Sequence, residues 1–229
     1  MISHTHKFIF IHIPKVAGTS LKRILTVPEV ANKAGQVFSP FEFDEKKFDP
    51  PPPHLRPHDY LKYGYISKDL FDTYFKFSFV RNPWSRIVSE YQYRHSYKYS
   101  FKDFLFKKFP RPSWSDSYCH VIPQYDFLYD NNGNLIVDFV GKYENLKEDF
   151  SYICNNLGIE YKNLPHEKKS SIILKRNEIN YMELCRFVRY FYRINKNTFR
   201  NYKDYYDDES IEHVARLYEK DVETFGYKF

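Results

Sequence analysis

Apolar positions along the chain fall into runs that predict two consecutive units of strand, loop and helix. Residues 7–13 are mostly β-branched or aromatic and close at Pro14, which is typical of a strand buried on both faces of a parallel sheet. We expect this run to be the first strand and to lie at the centre of the sheet. Gly18 then opens a stretch with apolar residues at helical spacing. The pattern recurs at 74–80, after which Asn82 is a strong N-cap and the following proline suits the first helical position.

The second half of the chain predicts one more strand and two more helices. Residues 130–134 form a turn cluster of the hairpin type, residues 135–141 a short strand and residues 144–157 a helix. The last helix begins at the acidic residues 207–209 and ends at Gly226. Strands that alternate with helices predict an α/β fold with a mostly parallel central sheet flanked by helices.

Composition narrows the class of protein. The chain has 229 residues, of which 42% are hydrophobic, so we predict one domain over residues 1–229 and exclude both a disordered chain and a disulfide scaffold. Its three cysteines are widely spaced, which favours a reducing compartment over a zinc or redox pair. We see no apolar run of the roughly 20 residues that cross a bilayer and no signal-peptide pattern, and therefore expect a soluble, unsecreted protein. The net charge of +6 suits an anionic ligand, and equally an ordinary soluble protein.

The first candidate site is the loop between the first strand and helix, at residues 12–20. A glycine-containing loop in this position presents backbone amides and a helix N-terminus to an anion. The sequence is not a Walker A loop, because Lys15 stands at the start of the loop and not after its final glycine. Its ammonium can reach the middle of a bound anion, while Thr19 and Ser20 donate to one end. The alternative is that Thr19 only caps the helix and Lys15 is only a solvated charge.

The second candidate site follows the second strand, at residues 77–89. Arg81 leaves the carboxyl end of the strand where a helix begins, so its guanidinium and the helix dipole can converge on one phosphate. Ser85 and Ser89 lie four residues apart on the helix, and at least one of their hydroxyls can also bind that phosphate. The alternative is a capped surface helix whose arginine pairs with a carboxylate. Two anion sites at the carboxyl ends of strands together favour one nucleotide with two separated phosphate groups.

These motifs resemble a known family, the type-2 carbohydrate sulfotransferases that use 3′-phosphoadenylyl sulfate. The loop at 13–20 resembles their 5′-phosphosulfate loop, and residues 80–89 resemble their 3′-phosphate motif. The likeness extends to blocks at 120–124, 138–146 and 204–227, so it covers nearly the whole chain. The resemblance implies an architecture like that of the P-loop nucleotide kinases, a mostly parallel sheet wrapped by helices.

The resemblance also implies a role for each matching residue. Lys15 would contact the oxygen that bridges phosphorus and sulfur, and Arg81 and Ser89 would bind the 3′-phosphate. Gly18 and the two hydroxyl residues after it would bind the 5′-phosphate. The nucleotide-binding loop as a whole consists of Pro14, Lys15, Val16, Ala17, Gly18, Thr19 and Ser20.

Sulfuryl transfer to a hydroxyl gains from a base that takes the acceptor proton, and from a cation at the departing oxygen. His54 is our first candidate for the base, because relatives place a catalytic histidine in a similar segment ahead of the 3′-phosphate strand. His58 is the second and His120 the third, although some branches of the superfamily use a glutamate, and each histidine has a purely structural alternative. We expect no metal, since Lys15 and the loop amides can carry the charge, and Pro57 prevents His54 and His58 from sharing a helical face.

The leading hypothesis is therefore transfer of a sulfuryl group from 3′-phosphoadenylyl sulfate to a saccharide hydroxyl, with no nucleic acid partner. Two rivals stay open: a P-loop-like kinase that uses ATP, and a basic, aromatic binding module for glycan or nucleic acid without catalysis. The chain starts at its first strand without an anchor, which favours cytoplasmic action in a bacterium. The irregular segment 27–57 would help to choose the acceptor, and the basic stretch 168–176 is a further binding candidate. The sequence predicts no oligomeric state.

Overall fold

A five-stranded sheet forms the centre of the computed structural model, which describes residues 1–25, 37–38, 54–113, 115–161 and 201–229. Its strands are β1 (Ile2–Ser3), β2 (Phe8–Ile11), β3 (Val37–Phe38), β4 (Phe75–Val80) and β5 (Phe139–Lys142). They are arranged in the order β3-β1-β2-β4-β5. The three longest strands, β2, β4 and β5, run parallel, and antiparallel pairing is confined to the two-residue strands β1 and β3. The predicted α/β fold with a mostly parallel sheet is confirmed.

The helices expected after β2, β4 and β5 are present, and the described ranges also contain short helices that the sequence pattern did not predict. Ten α-helices lie in the described ranges: α1 (Gly18–Leu25), α2 (Pro57–Lys62), α3 (Lys68–Thr73), α4 (Pro83–Glu90), α5 (Phe101–Lys107), α6 (Asp116–Cys119), α7 (Tyr125–Leu128), α8 (Leu146–Leu157), α9 (Asp208–Leu217) and α10 (Glu219–Phe225). A π-helical turn at Tyr91–His95 extends α4, and short 3₁₀ turns lie at Tyr143–Asn145 and Tyr202–Tyr205. Within these ranges, none of the helices is both long enough and apolar enough to cross a bilayer.

Burial explains why β2 and β4 form the middle of the sheet. All four residues of β2 are buried, and β4 is buried from its second residue onward, so both strands are covered on both faces. The strand predicted at 7–13 is thus central, but it is not the first, because β1 precedes it. Buried residues from Met1 to Tyr227 belong to one hydrophobic core, which makes the described segments a single packed unit.

Parallel pairing brings the two candidate loops to the same edge of the sheet. Ile11 at the end of β2 lies opposite Ser78 of β4, and the Ser78 hydroxyl donates to the Ile11 carbonyl over 2.7 Å. The loop after β2 and the turn after β4 therefore leave the sheet side by side. This is the edge at which open α/β sheets bind their ligands.

The turn after β4 is built as the sequence predicts. The Asn82 side chain accepts a hydrogen bond from the Ser85 backbone N–H at 3.2 Å, and Pro83 is the first residue of α4. The C-terminal segment holds this turn from outside, because the Trp84 indole donates to the Ile211 carbonyl and the Asn82 amide donates to the Lys228 carbonyl. The block that ends the chain is thus part of the framework of the site.

Several element boundaries differ from the prediction. The hairpin turn is present, with Gly133 at φ +80° and a bridge between Tyr129 and Leu135, but the strand that follows begins only at Phe139. The single helix expected at the C-terminus is two helices that meet at Tyr218. The Tyr218 hydroxyl is buried and donates to the Val121 carbonyl over 2.6 Å, which anchors the break. Most of segment 27–57 and all of the basic stretch 168–176 lie outside the described residues.

One buried arginine ties the site edge together. Arg86, in the second turn of α4, is only 1% exposed. Its guanidinium donates to the carbonyls of Pro14 over 3.1 Å, Ile122 over 2.8 Å and His120 over 3.1 Å. The arginine that the resemblance places inside the 3′-phosphate motif therefore serves as a framework residue. It joins the loop after β2 to the segment between α6 and α7.

We expect Arg86→Met to lower the free energy of unfolding by about 3–5 kcal/mol, because three carbonyls, two of them in buried residues, lose a charged donor. Urea denaturation measures the change, and Arg216→Met at an exposed position of α9 is the matched control, expected to change stability by about 0.5 kcal/mol or less. A similar small change in both variants would contradict the framework role of Arg86.

Candidate active site

The loop after β2 has an unusual backbone. Lys15 and Ala17 both have left-handed conformations, with φ of +71° and +66°, although neither is a glycine. Positive and negative φ values alternate through this loop, as they do in backbone nests whose N–H groups converge on an anion. Each such residue costs of order 1–3 kcal/mol, and strain of this kind is concentrated at functional sites. The backbone thus supports the expectation that the loop binds an anion.

Gly18 is required here for close packing. A Cβ atom at Gly18 would lie 1.8 Å from Nε2 of His12, far inside van der Waals contact. The imidazole of His12, which directly follows β2, therefore packs on Gly18, the first residue of α1. Among the other loop residues, Thr19 is exposed, Ser20 is buried, and Pro14 and Val16 are buried beneath the loop.

Arg81 is held at the other loop by its neighbours. Its Nε donates to the Ser85 hydroxyl over 2.9 Å, and its guanidinium lies 4.2 Å from the centre of the Tyr143 ring. Its Nη1 donates to the backbone carbonyl of Lys15 over 3.2 Å. The two predicted phosphate sites are therefore in direct contact, close enough to serve one molecule.

Gln124 gives the sequence block at 120–124 a structural role, because it binds the backbone of Arg81. Its side-chain amide bonds both backbone groups of Arg81: Oε1 accepts from the Arg81 N–H and Nε2 donates to the Arg81 carbonyl, each over 2.8 Å. The fully buried Asp221 in turn accepts from the Gln124 backbone N–H over 2.9 Å. Gln124 thus fixes the backbone from which the arginine side chain projects.

Three histidines lie in a row beside the first loop. The His54 ring makes edge-to-face contacts with His12, at a centroid distance of 4.8 Å, and with His120, at 5.1 Å. His54 Nδ1 lies 3.3 Å from the His12 carbonyl, which can only accept, so Nδ1 carries the proton and Nε2 the lone pair. His54 and His120 are 9% and 7% exposed, so the row is largely shielded from water.

A buried glutamate sets the tautomer of His120. Glu90, the last residue of α4, is fully buried, and its Oε2 accepts from His120 Nδ1 over 2.7 Å. On the other side of the ring, Arg94 Nη2 lies 3.3 Å from His120 Nε2 and also pairs with Asp116. An arginine only donates, so this contact uses the Nε2 lone pair of His120.

The π-helical turn brings a second group of residues to the site. The Tyr91 carbonyl accepts from the Ser96 N–H, five residues on, over 2.9 Å. Turns of this kind are frequent at functional sites. Within this turn Tyr93 lies under Lys15, whose ammonium is 3.9 Å from the ring centre, and stacks nearly parallel to His120 at 6.0 Å. A continuous series of contacts therefore leads from the Lys15 ammonium through the rings of Tyr93 and His120 to His54.

The structure brings Lys15, Arg81 and two of the three candidate histidines together, whereas neither His58 nor Ser89 contacts this group in the described contacts. Lys15, Arg81, His54 and His120 belong to one connected cluster. The His58 side chain is 57% exposed and contacts Asp59 over 3.1 Å, at the surface of α2. Ser89 is partly buried in the last turn of α4, and Ser85 is the serine that contacts Arg81.

The sequence did not predict a role in the site for four residues: His12, Glu90, Tyr93 and Arg94. The sequence placed His12 inside the first motif but gave it no role. The spacing of Glu90 and Arg94, one helical turn apart, was the available signal for an ion pair.

His54, Asp116 and His120 offer ligand atoms within 4.8 Å of one another, a spacing that can suit a metal ion. Arg94 already pairs with Asp116 and contacts the lone pair of His120, so these donors are committed to a guanidinium. A divalent ion would have to displace that cation. The donor set therefore fits an arginine better than a metal.

Burial controls the charge of two of these histidines, His54 and His12. Burial, and then the neighbouring His120, lower the pKa of His54 to about 3. Burial, and then His54, also hold the pKa of His12 well below 6.5. Both rings are therefore neutral near neutral pH, as a proton acceptor has to be.

The fold and these loops define a class, the α/β proteins that bind ligands at the carboxyl ends of adjacent parallel strands. The chain belongs to the sulfotransferase family, because the model described as "Sulfotransferase family" matches residues 1–228. Membership of this family supports sulfotransfer activity and confirms the resemblance found in the sequence.

Two of the individual proteins that are similar to this chain are carbohydrate sulfotransferases. Carbohydrate sulfotransferase 14 of Danio rerio is 27% identical over 193 residues, which cover 69% of this chain and 48% of the relative. Carbohydrate sulfotransferase 11 of Rattus norvegicus is 25% identical over 203 residues, covering 75% and 56%. An uncharacterized protein of Archaeoglobus fulgidus is 39% identical over 95 residues, covering 41% of this chain and 76% of its own length. The chain spans about half the length of these two carbohydrate sulfotransferases, and no solved structure gives a significant match.

The lowered pKa of His54 predicts a stability that falls as the pH is lowered. Between its unfolded value of 6.5 and its folded value of about 3, unfolding takes up one proton at His54. The free energy of unfolding should then fall by about 1.4 kcal/mol per pH unit from this group alone. Urea denaturation at pH 6, 5 and 4 should show a shallower fall in His54→Gln. An unchanged slope would mean that His54 is already protonated in the folded protein.

Proposed function

We propose that the protein transfers the sulfuryl group of 3′-phosphoadenylyl sulfate to a hydroxyl of a saccharide. The observation that carries the proposal is the 3.2 Å hydrogen bond from Arg81 to the carbonyl of Lys15. It joins two anion-type loops at one sheet edge, so a nucleotide with phosphates at both ends can reach both. Membership of the sulfotransferase family and likeness to carbohydrate sulfotransferases support the choice of group and acceptor.

In this proposal the loop after β2 binds the 5′ end of the nucleotide. The amides of the loop and of the start of α1 donate to the 5′-phosphate, with hydroxyls of Thr19 and Ser20 beside them. Arg81 and Ser89 bind the 3′-phosphate, and Ser85 holds the Arg81 side chain in place. A kinase is not favoured, because the family is one of sulfotransferases and Lys15 stands at the start of the loop.

The reaction is an in-line displacement at sulfur. The acceptor oxygen forms a bond to sulfur while the bond from sulfur to the bridging oxygen breaks, and the acceptor proton passes to a base. Negative charge then develops on the oxygen that leaves with the 3′,5′-bisphosphate. Lys15 supplies the ammonium for that charge, in a site whose partners are already oriented.

His54 is the residue that we assign as the base. Its Nδ1 is engaged by the His12 carbonyl, so Nε2 carries the lone pair, and burial keeps the ring neutral. The lone pair of His120 faces Arg94, which makes His120 better suited to hold the His54 ring by edge-to-face contact. Tyr93 connects this pair to the ammonium of Lys15.

Nucleotide binding tests the proposal directly. We expect 3′,5′-bisphosphoadenosine at a hundredfold excess over its dissociation constant to stabilise the protein by about 2.7 kcal/mol. Adenosine 5′-monophosphate should bind more weakly by roughly tenfold or more, since it lacks one charged hydrogen-bond acceptor. Arg81→Gln should remove that difference, as measured by thermal shift or calorimetry. Equal discrimination in the variant and the wild type would take the 3′-phosphate away from Arg81.

Stabilisation by ATP with Mg²⁺ but not by the bisphosphate would favour the kinase. Stabilisation by neither would favour a non-catalytic binding module.

Turnover tests the base. His54→Ala should lower kcat by about 10²–10⁴-fold while bisphosphate binding persists, because only the proton acceptor is lost. His58→Ala is the matched control, since this neighbouring histidine lies at the surface, and its kcat should stay near that of the wild type. The reverse result would transfer the role to His58, and loss in His120→Gln alone would transfer it to His120.

A further inference from the structure

The ammonium of Lys15 has to be held in place if it is to act on the departing oxygen. A lysine side chain is a flexible four-carbon stem, and its ammonium stabilises developing charge best when its position is set beforehand. The backbone of Lys15 is held, because its carbonyl accepts from Arg81 Nη1 over 3.2 Å. The end of the side chain needs a contact of its own.

Tyr93 supplies such a contact. The Lys15 Nζ atom lies over the Tyr93 ring at 3.9 Å from its centre, well within the roughly 6 Å over which an aromatic face attracts a cation. The guanidinium of Arg94 is also near this ring, at 5.3 Å, but it already pairs with Asp116 and Glu90. Lys15 is thus the closer of the two cations at the ring.

The Tyr93 ring has a fixed neighbour. It stacks on His120 at a centroid distance of 6.0 Å, with 9° between the ring planes. His120 is 7% exposed, and Glu90 Oε2 accepts from its Nδ1 over 2.7 Å. The backbone of Tyr93 belongs to the π-helical turn, which the bond from the Ser96 N–H to the Tyr91 carbonyl closes. The position of the ring is therefore set by the fold around it.

A ring face orients an ammonium without removing its charge. A carboxylate in the same place would neutralise Lys15 and compete with an anionic substrate, whereas an aromatic face attracts the cation more weakly. An ammonium has three N–H donors. A ring face takes up the donor that points at it, and the others point away from the ring, where they can serve an oxygen of the substrate.

We infer that Tyr93 is a positioning residue, whose ring orients the Lys15 ammonium toward the oxygen that leaves with the bisphosphate. The inference rests on the proposed sulfotransfer and adds a residue that acts through Lys15, without touching sulfur or the acceptor. Negative charge on the departing oxygen is greatest in the transition state. The ring therefore affects kcat and leaves nucleotide affinity nearly unchanged.

Nuclear magnetic resonance tests the contact without turnover. The protein is labelled with ¹³C at the lysine Cε positions, and the Lys15 signal is the one lost in Lys15→Arg. Protons above an aromatic face are shifted upfield by the ring current, so the Lys15 Cε protons should lie upfield of those of Lys147, an exposed residue of α8. Tyr93→Phe should keep this shift and Tyr93→Leu should remove it. An equal shift in wild type and Tyr93→Leu would overturn the inference.

Turnover of 3′-phosphoadenylyl sulfate with water as the acceptor tests the role, since the same bond from sulfur to the bridging oxygen breaks and sulfate is released. Tyr93→Phe should keep kcat within about twofold of the wild type, and Tyr93→Leu should lower it by roughly tenfold. Fluorinated phenylalanines at position 93 withdraw electron density from the ring face with little change in size, so kcat should fall with each added fluorine. A flat series, or a higher kcat in Tyr93→Leu, would overturn the inference.

A double-mutant cycle separates action through Lys15 from a change in shape. In the Lys15→Ala background, Tyr93→Leu should change kcat by less than about twofold, because the ring no longer has an ammonium to orient. Tyr152→Leu is the matched control: Tyr152 on α8 is 50% exposed, against 52% for Tyr93, and its kcat should stay within about twofold of the wild type. An equal loss from Tyr93→Leu with and without Lys15 would overturn the inference.

Bisphosphate binding separates this inference from the proposed function. The dissociation constant of 3′,5′-bisphosphoadenosine in Tyr93→Leu should stay within about twofold of the wild-type value. Loss of binding in this variant alone would assign Tyr93 to nucleotide binding and overturn the positioning role. Failure of the bisphosphate to bind even the wild type would overturn the proposed sulfotransfer, whereas the resonance measurement reports on the contact by itself.

Discussion

The guanidinium of Arg86 is the constraint on which the candidate site depends. It donates to carbonyls of the first loop and of the segment that carries His120, while its own helix begins at the turn that carries Arg81. Because the donors of a guanidinium point in fixed directions, the segments it joins must keep one relative arrangement. The protein itself therefore holds the loop after β2, the turn that carries Arg81 and the histidine row in one arrangement, and such preorganisation is the condition for electrostatic stabilisation of a transition state.

Charge is distributed unevenly around this framework. Arg81 contacts the Lys15 backbone, the Lys15 ammonium lies over Tyr93, and Arg94 contacts His120. Burial first, and then neighbouring histidines, lower the pKa values of His54 and His12, so these two rings stay neutral near neutral pH. A ligand with several negative charges compensates the cations. In the proposed reaction, such a ligand would also favour a proton on the His54 ring when the acceptor releases one, so the same surroundings would serve binding and chemistry.

Local patterns predicted the parts of the site that one segment determines. The buried strands, the Asn82 cap and the arginine at a strand end each follow from a few neighbouring residues. The roles of Tyr93 and Glu90 depend on a π-helical turn, for which helical spacing gives no signal. The separation of His54 from His58 depends on where α2 begins, and the role of His12 depends on the missing side chain at Gly18. These features arise from packing between distant segments.

The hydrogen bond between Arg81 and the Lys15 carbonyl has a consequence for affinity. A 3′-phosphate that engages this guanidinium competes with the loop carbonyl for its N–H groups. In the proposed complex, a phosphate at one end would thus disturb the strained loop that receives the other end, and thermodynamic linkage requires such an effect to be mutual. The two halves of a bisphosphate nucleotide should therefore be coupled, so that the binding free energy of the whole molecule differs from the sum for its separate fragments.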